Sequence, residues 1–387
     1  MNTKKNILLT GGRAPVTLHL ARLFAKAGHT VFVAESIKYH ICLYSNTVKK
    51  NFMVPSPRFN KYDYIRALID IIQREKIDLL IPTCEEVFYI SEKIDELSDY
   101  CKVFTDKSDK LKNLHNKHQF ITGIENCKIK APETRLINSQ EELNRQLTFT
   151  KFQKAVIKPV YSRFSSKIKI IFESDEKIPN IDISEKNPWI LQEFTEGSQF
   201  CTYSIVQNGN ITAHTAYPTT FTAGIGSSIA FENIECPEVF NWISVYAKKL
   251  NYTGQIAFDF IETPDKEVYV IECNPRATSG IHLFDETNLT RAFLENSEKI
   301  ITPDKSAKAV IFLAMLTYGL CSVNSFSKLL SWIKTFFSSK DIVFKMSDPL
   351  PFVHQFFILA GLGFFALKNK IKITEVSTMD IEWNGES

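Results

Sequence analysis

The stretch Gly254–Arg276, GQIAFDFIETPDKEVYVIECNPR, restricts the fold of this chain more than any other segment. Two apolar runs flank the polar tetrad Pro264–Glu267, a pattern that folds as an antiparallel hairpin. A turn at the tetrad sets Asp259 directly opposite Glu272, with Cβ atoms roughly 5 Å apart. Asn274 lies on the same face, two residues further on. Alternation gives that face Ile261, Val268 and Val270, and gives the other Phe258, Phe260, Tyr269 and Ile271. Two carboxylates held together in apolar surroundings repel one another and lose hydration. A hard divalent cation removes both costs, because carboxylate and amide oxygens are its preferred ligands. Asp259, Glu272 and Asn274 therefore read as a magnesium site, with manganese as the other candidate. Arg276 adds a planar cation beside this anionic cluster, as suits a metal that carries phosphates. The alternative is an edge hairpin whose polar ends simply face water.

The residues before the hairpin divide in two. Asn6–Thr10 (NILLT), TVFVA, Ile77–Pro82 (IDLLIP) and KVFT read as strands, separated by the helical patterns PVTLHLARLFAKAG and YIRALIDIIQREK. Strand–helix alternation predicts a parallel, doubly wound sheet over residues 1–105. After Asp106 come a helical stretch, the strands AVIKPV and WILQEF, and TYSIVQNGNITAHTAYP, in which Asn208-Gly209 marks a two-residue hairpin turn. Residues 106–300 thus read as α+β with an antiparallel sheet, and residues 301–387 as a helical, more apolar extension.

Composition excludes several classes. A chain of 387 residues can form two or three domains with filled cores. The net charge of +3 and the lack of a basic run argue against nucleic acid. Eight cysteines lie scattered without metal-like spacing, as in a cytoplasmic protein with reduced thiols. The apolar run after Met1 is too short for a signal peptide and reads as a first strand.

At the hairpin the sequence resembles the ATP-grasp superfamily, in which two α+β lobes hold ATP and Asp/Glu…Glu-x-Asn on a hairpin binds two magnesium ions. The resemblance covers about the first 300 residues and is closest to the carbamoyl-phosphate-synthase-like branch and its single-chain amino-acid ligases. It implies a Rossmann-like domain (1–105) and an ATP-grasp domain with a small lobe (106–190) and a large lobe (191–300). It further implies that Lys158 in VIKPV and Lys117 in NKHQF contact ATP phosphates. Gln192 in LQEFTEG would meet the adenine amino group, and the backbone of Glu193, Phe194 and Thr195 the rest of its edge. Gln199 stands where the family has a ribose-binding glutamate. The phosphate loop, usually glycine-rich, is Tyr161–Lys167 here, where Ser162, Arg163, Ser165 and Ser166 would have to serve.

Other candidates come from the residues themselves. Gly11-Gly12 permits a tight strand-to-helix turn, but G-x-G-x-x-G is absent, which argues against a nicotinamide cofactor. Arg13 at this turn is a candidate for a substrate carboxylate. Glu85 or Glu86, after the third strand, is a candidate for a substrate ammonium. The uncharged loop Pro218–Phe231 reads as a flap, with Ser227 and Ser228 as substrate contacts. In the extension, Phe326, Leu329, Leu330, Ile333, Phe336 and Phe337 share a helical face, opposite Lys328, Ser331 and Lys334. Phe352–Leu367 is apolar but only some sixteen residues long and carries His354 and Gln355, short of the about 20 needed to span a bilayer. It is expected to pack on the catalytic body, with peripheral membrane contact or a hydrophobic substrate channel as the alternatives.

The resemblance implies an ATP-dependent ligase that joins a small-molecule carboxylate to an amine or another nucleophile through an acyl phosphate, releasing ADP and phosphate. Lys158 and Arg276 would be the catalytic cations, and the chain a monomer or homodimer. The rivals are an ATP-grasp kinase and a degenerate nucleotide-binding protein, with membrane association as a variant of the second.

Overall fold

The computed structural model describes residues 3–124, 129–149, 152–161, 168–172, 178–224, 226–296 and 299–385. In the N-terminal domain the strands Lys50–Met53, Thr30–Glu35, Asn6–Thr10, Leu79–Ile81 and Lys102–Val103 lie side by side in that order, all parallel. Lys50–Met53 is an edge strand that the sequence pattern missed, since only Phe52 of its four residues is buried. The central strand is apolar throughout because both sheet faces are covered. Ile7 and Leu9 pack with Leu20, Ala21 and Phe24 of the helix Pro15–Lys26, while Leu8 packs with Tyr64, Ile65 and Leu68 of Lys61–Glu75. Gly11, at φ +77°, makes the turn between strand and first helix, and a Cβ there would lie 2.7 Å from Thr83 Oγ1.

Two antiparallel sheets follow. The smaller orders its strands Thr134–Ile137, Trp189–Glu193, Lys154–Pro159 and Lys169–Phe172. The strand Trp189–Glu193 belongs wholly to this sheet, so the change of sheet comes at Phe194–Gly197. The larger orders Asn210–Pro218, Ser198–Gln207, Gly254–Glu262 and Val268–Asn274. Its hairpin at Asn208-Gly209 has both residues at positive φ, as the sequence predicts for a two-residue turn. One face is covered by the helix Pro237–Leu250, whose Trp242 and Tyr246 meet Phe258 and Phe260. The other face shares a core with the N-terminal domain, where Tyr203, Ile205 and Tyr217 join Phe24, Phe104 and Phe293. The helices Ser108–His115 and Lys117–Gly123, expected in the small lobe, pack their Leu111, Leu114 and Phe120 into the larger sheet's core.

The extension is not wholly helical. Lys308–Val310 pairs with Ala230–Glu232 and with Lys340–Asp341 in a three-stranded sheet. The helices Phe326–Ser338 and Leu350–Asn369 follow, and the tail beyond Ser377 returns to the N-terminal domain. The expectation that Phe352–Leu367 packs on the body is met on one side of the helix, where Phe352 and Ile358 pack against the core, and not on the other. The helix is 20 residues long, enough by length and composition to cross a membrane, and only 11 % of its most apolar stretch is buried. Its inward residues include His354, stacked on Tyr44 at 3.6 Å, and Gln355, while Val353, Phe357, Phe364 and Leu367 face outward.

Candidate active site

The hairpin Gly254–Asn274 carries a bulge. Glu262 pairs with Val268, Ile261 with Tyr269 and Phe260 with Val270, but the next pair is Asp259 with Glu272, which leaves Ile271 extra. Asp259 therefore sits opposite Glu272 as the sequence predicts and Ile261 keeps its expected face, while the faces expected for Val270 and Ile271 of the second strand are reversed. Val270 joins Phe258 and Phe260 in the helix-covered core, and Ile261 and Ile271 line a cleft between the two sheets.

That cleft, about 810 Å³ in volume, gathers Lys117, Lys158, Asp259, Glu272, Asn274 and Arg276. Lys158 interrupts an otherwise apolar strand and is 3 % exposed. Lys117, also 3 % exposed, opens its helix just after Asn116, whose side chain caps the helix by accepting from the Gln119 N–H. Its Nζ lies 3.6 Å from Glu272 Oε2. Asn274 donates to Glu272 Oε1 at 3.5 Å, and Arg276 donates to Asn274 Oδ1 at 3.3 Å.

The electrostatics fit a cation site. Burial, reinforced by the charge of Glu272, pushes Asp259 up to about 7. Burial would raise Glu272 too, but Lys117 and Lys158 outweigh it and hold Glu272 at about 2. Burial and the neighbouring Lys117 bring Lys158 down to about 8, against the pull of Glu272 and Asp259. Among the described residues no group of three or more His, Cys, Asp or Glu side chains could hold a metal. The oxygen set is two carboxylates and an amide, which suits magnesium whose remaining ligands are phosphate oxygens and water.

The residues expected to meet a nucleotide lie where the chain changes sheet. Gln192 is 2 % exposed and donates to Thr134 Oγ1 at 2.8 Å. The N–H groups of Glu193 and Phe194 donate to the carbonyls of Glu133 and Lys154, so the expected backbone donor for a base shifts along the linker to Thr195. Gln199 pairs with Ile261 in the large sheet and lines the cleft with Val156, Ile170 and Ile271. At Gly197 a Cβ would stand 2.2 Å from the Glu262 carbonyl oxygen, so a side chain here would block the crossing. The candidate phosphate-loop residues Ser162, Arg163, Ser165 and Ser166 lie outside the described residues.

At the far end the structure revises two expectations. Arg13 lines the cleft, but its guanidinium is clasped by Glu35 and by Asp380 of the tail, and it also donates to the Ser377 carbonyl at 3.0 Å. It is a structural clamp rather than a waiting carboxylate site. Glu85, 1 % exposed, accepts from the Trp383 N–H at 3.2 Å and lies 3.8 Å from Arg276 Nε, so it orients Arg276. Glu86 ties the ends of two strands, accepting from Thr10 Oγ1 and from the N–H groups of Thr83 and Cys84. Ser227 and Ser228 line the cleft on a short strand paired with Thr222–Ala223. The roots of this flap, Phe221 and Ile229, are buried against Met315 and Trp332 of the extension.

Sequence reasoning missed the tail as a cleft wall and offered the apolar helix there only as an alternative, a hydrophobic substrate channel. Ser377, Thr378 and Ile381, with Ile358 and Leu362 of the helix, complete the far end beside Val16 and Ile37. Trp383 stacks on Phe88 at 4.7 Å and holds the tail in place. No motif or periodicity marked these residues. The one available signal was the alternation of polar and apolar residues in TMDIEW.

Comparison with known proteins accords with this geometry. Residues 114–280 match a family model described as the ATP-grasp domain. An uncharacterized protein of Methanocaldococcus jannaschii is 26 % identical over 204 residues, 51 % of this chain. The match covers 50 % of that protein, so the chain spans about half the length of this curated relative. Among solved structures, the biotin carboxylase domain of Hydrogenobacter thermophilus 2-oxoglutarate carboxylase, in complex with MgADP, superposes with a TM-score of 0.60. It is 11 % identical, over 79 % of this chain and 73 % of that one. An ADP complex of N5-carboxyaminoimidazole ribonucleotide synthetase gives 0.56 at 15 % identity, over 73 % of each chain. The L-amino acid ligase of Bacillus licheniformis gives 0.55 at 12 % identity, over 77 % of this chain and 71 % of that one. At these identities the likeness is one of fold.

Proposed function

We propose that this chain, whose residues 114–280 match the ATP-grasp domain, is an ATP-dependent carboxylate–amine ligase of the ATP-grasp superfamily. The observation that carries the reading is the cleft wall on which Asp259, Glu272 and Asn274 face Lys117, Lys158 and Arg276. A binding pocket for a neutral metabolite has no use for so much buried charge, whereas a triphosphate and its cation neutralise it.

In this reading the adenine lies along Gln192–Thr195, the ribose near Gln199 and the phosphates between Lys117 and Lys158. A carboxylate oxygen of the acid attacks the γ-phosphorus, the bond from the β,γ-bridging oxygen to that phosphorus breaks, and ADP departs. An amine then attacks the acyl carbon, phosphate leaves, and the amine's proton passes to solvent. Magnesium, held by Asp259, Glu272 and Asn274, would supply charge neutralisation at the phosphates. Lys117 and Lys158 spread positive charge over the transferred group, and Arg276, oriented by Glu85, faces the junction of nucleotide and acceptor. No side-chain nucleophile is required.

The acceptor end also narrows the acid or amine. With Arg13 engaged by Glu35 and Asp380, the far wall offers Val16, Ile37, Ile358, Leu362 and Ile381, with the hydroxyls of Ser227, Ser228 and Thr378. This lining supports an acceptor with an apolar body rather than a small zwitterion.

The test is ADP release over a panel of acids and amines, with mass spectrometry of products and the acid labelled with 18O in its carboxylate. A ligase transfers one label to phosphate and gives an amide. ADP formed with a phosphorylated hydroxyl and no labelled phosphate would make the chain a kinase. Absence of ADP release with every pair would remove the catalytic reading.

A further inference from the structure

The apolar helix Leu350–Asn369 is turned inside out for a helix of a water-soluble body. Its inward stripe, Pro351, Gln355, Ile358, Leu362 and Ala366, packs along the protein for its whole length. Its outward face carries Phe357, 70 % exposed, Phe364, 72 %, and Leu367, 82 %. The neighbouring helix Phe326–Ser338 adds Phe326, Leu330, Ile333 and Phe337, all exposed. An apolar surface of this extent on a folded chain is an interaction site.

Charge identifies the occupant. Between Phe326 and Lys372 the sequence holds seven lysines and two aspartates, and two of the lysines, Lys340 and Lys345, pair with Asp285. Lys328, Lys334, Lys368, Lys370 and Lys372 are exposed around the apolar face. Neither aspartate answers them. Asp348 is 2 % exposed and bound to Arg22, and Asp341 accepts from the N–H groups of Phe312 and Phe344. The next carboxylate, Glu375, stands alone beyond the rim. A second copy joined through this face would set lysines against lysines around the contact, which disfavours a two-fold dimer. A surface apolar within and anionic at its border satisfies both parts.

We propose that the paired helices Phe326–Ser338 and Leu350–Asn369 dock this protein on an anionic lipid bilayer, lying in the plane of the interface. The helix does not cross, because its inward stripe stays packed on the body. Ile358 and Leu362 belong both to this helix and to the cleft wall, so docking brings the far end of the cleft to the lipid surface.

The experiment uses the full-length chain in flotation with phosphatidylcholine vesicles and with vesicles enriched in phosphatidylglycerol. Flotation is expected with the anionic vesicles, weakened by salt, and released by alkaline carbonate. Phe357→Glu combined with Phe364→Glu should lower the floated fraction at least about tenfold, at an unchanged melting temperature, because both side chains face outward. Lys368→Glu combined with Lys370→Glu should remove the preference for anionic vesicles. Absence of flotation, flotation that survives the double phenylalanine variant, or retention through carbonate would overturn the proposal. So would a discrete dimer in sedimentation that the phenylalanine variant splits, since the face would then belong to a second copy.

Discussion

At one end of the cleft Asp259, Glu272 and Asn274 stand on two strands joined by the five residues Thr263–Glu267, whereas at the other Arg13 meets Asp380 across 367 positions of sequence. The first arrangement is local. Ladder pairing sets which side chains face each other, and a short turn sets the pairing. The second exists only once the tail has crossed the N-terminal domain, with Trp383 on Phe88 and Asp380 on Arg13. The two ends should therefore fail differently. Damage to the nucleotide end should remove chemistry and spare the fold, while damage to the far end should loosen the wall and spare ATP.

The largest effect is expected at Glu272. Glu272→Gln keeps the shape but removes the carboxylate that faces both buried lysines. It should lower kcat by about 100-fold or more while shifting the melting temperature by only a few degrees. ADP release with saturating magnesium checks this, and wild-type turnover in the variant would remove the metal assignment. Lys158→Ala comes next. It should raise the apparent ATP constant or lower kcat by about 10-fold or more at every acceptor concentration. A variant that moved only the acceptor constant would exchange the roles of the two ends.

What could be read from sequence divides along the same line. The opposition of Asp259 and Glu272 was legible because a turn tetrad and alternation suffice to set it. The bulge at Ile271 was not, since it depends on how the strand meets Phe258, Phe260 and the covering helix. That single extra residue sends Val270 to the core and Ile271 to the cleft. The Rossmann-like sheet was legible from apolar strands buried on both faces, but its edge strand Lys50–Met53 was too polar to register. Arg13 was legible as a cleft residue, while its partner lay in a tail without periodicity. For the helix Leu350–Asn369, apolar content suggested burial. Content does not say which side faces in, and the structure turns His354 and Gln355 inward and Phe357 and Phe364 outward.

A smaller effect should follow from opening the clamp. Asp380→Ala removes one of two carboxylates on Arg13 and frees the stretch Ser377–Ile381 that walls the far end. Loss of a partly buried, charge-assisted pair should cost about 1–3 kcal/mol of stability. The acceptor constant should rise several-fold, with the ATP constant within about 3-fold of wild type. Equal weakening of both constants would mean that the tail supports the whole cleft, and the contrast between its ends would be lost.

The smallest effect, and the sharpest, is the pH dependence of that clamp. Burial would raise Asp380, but Arg13 holds it below its ordinary value, and Glu35 is lowered in the same way by Arg13, with His40 assisting. A carboxylate lowered on folding contributes stability above its unfolded value, and that contribution disappears as pH falls through the lowered native value. Asp380→Asn cannot titrate and should be less stable than wild type at neutral pH by about 1–2 kcal/mol. Protonated Asp380 resembles Asn, so the gap between the two proteins should stay constant down to about pH 5 and close below about pH 4, near the ordinary aspartate value. Comparing two proteins that differ only at Asp380 largely cancels contributions they share, among them the buried histidines His19 and His214, whose values are lowered by burial. Denaturant melts of both proteins across this range measure the gap directly. A gap that closed near pH 6.5 would assign the effect to a histidine, and one that had not narrowed at all by pH 3 would make the Arg13–Asp380 contact one of shape rather than charge.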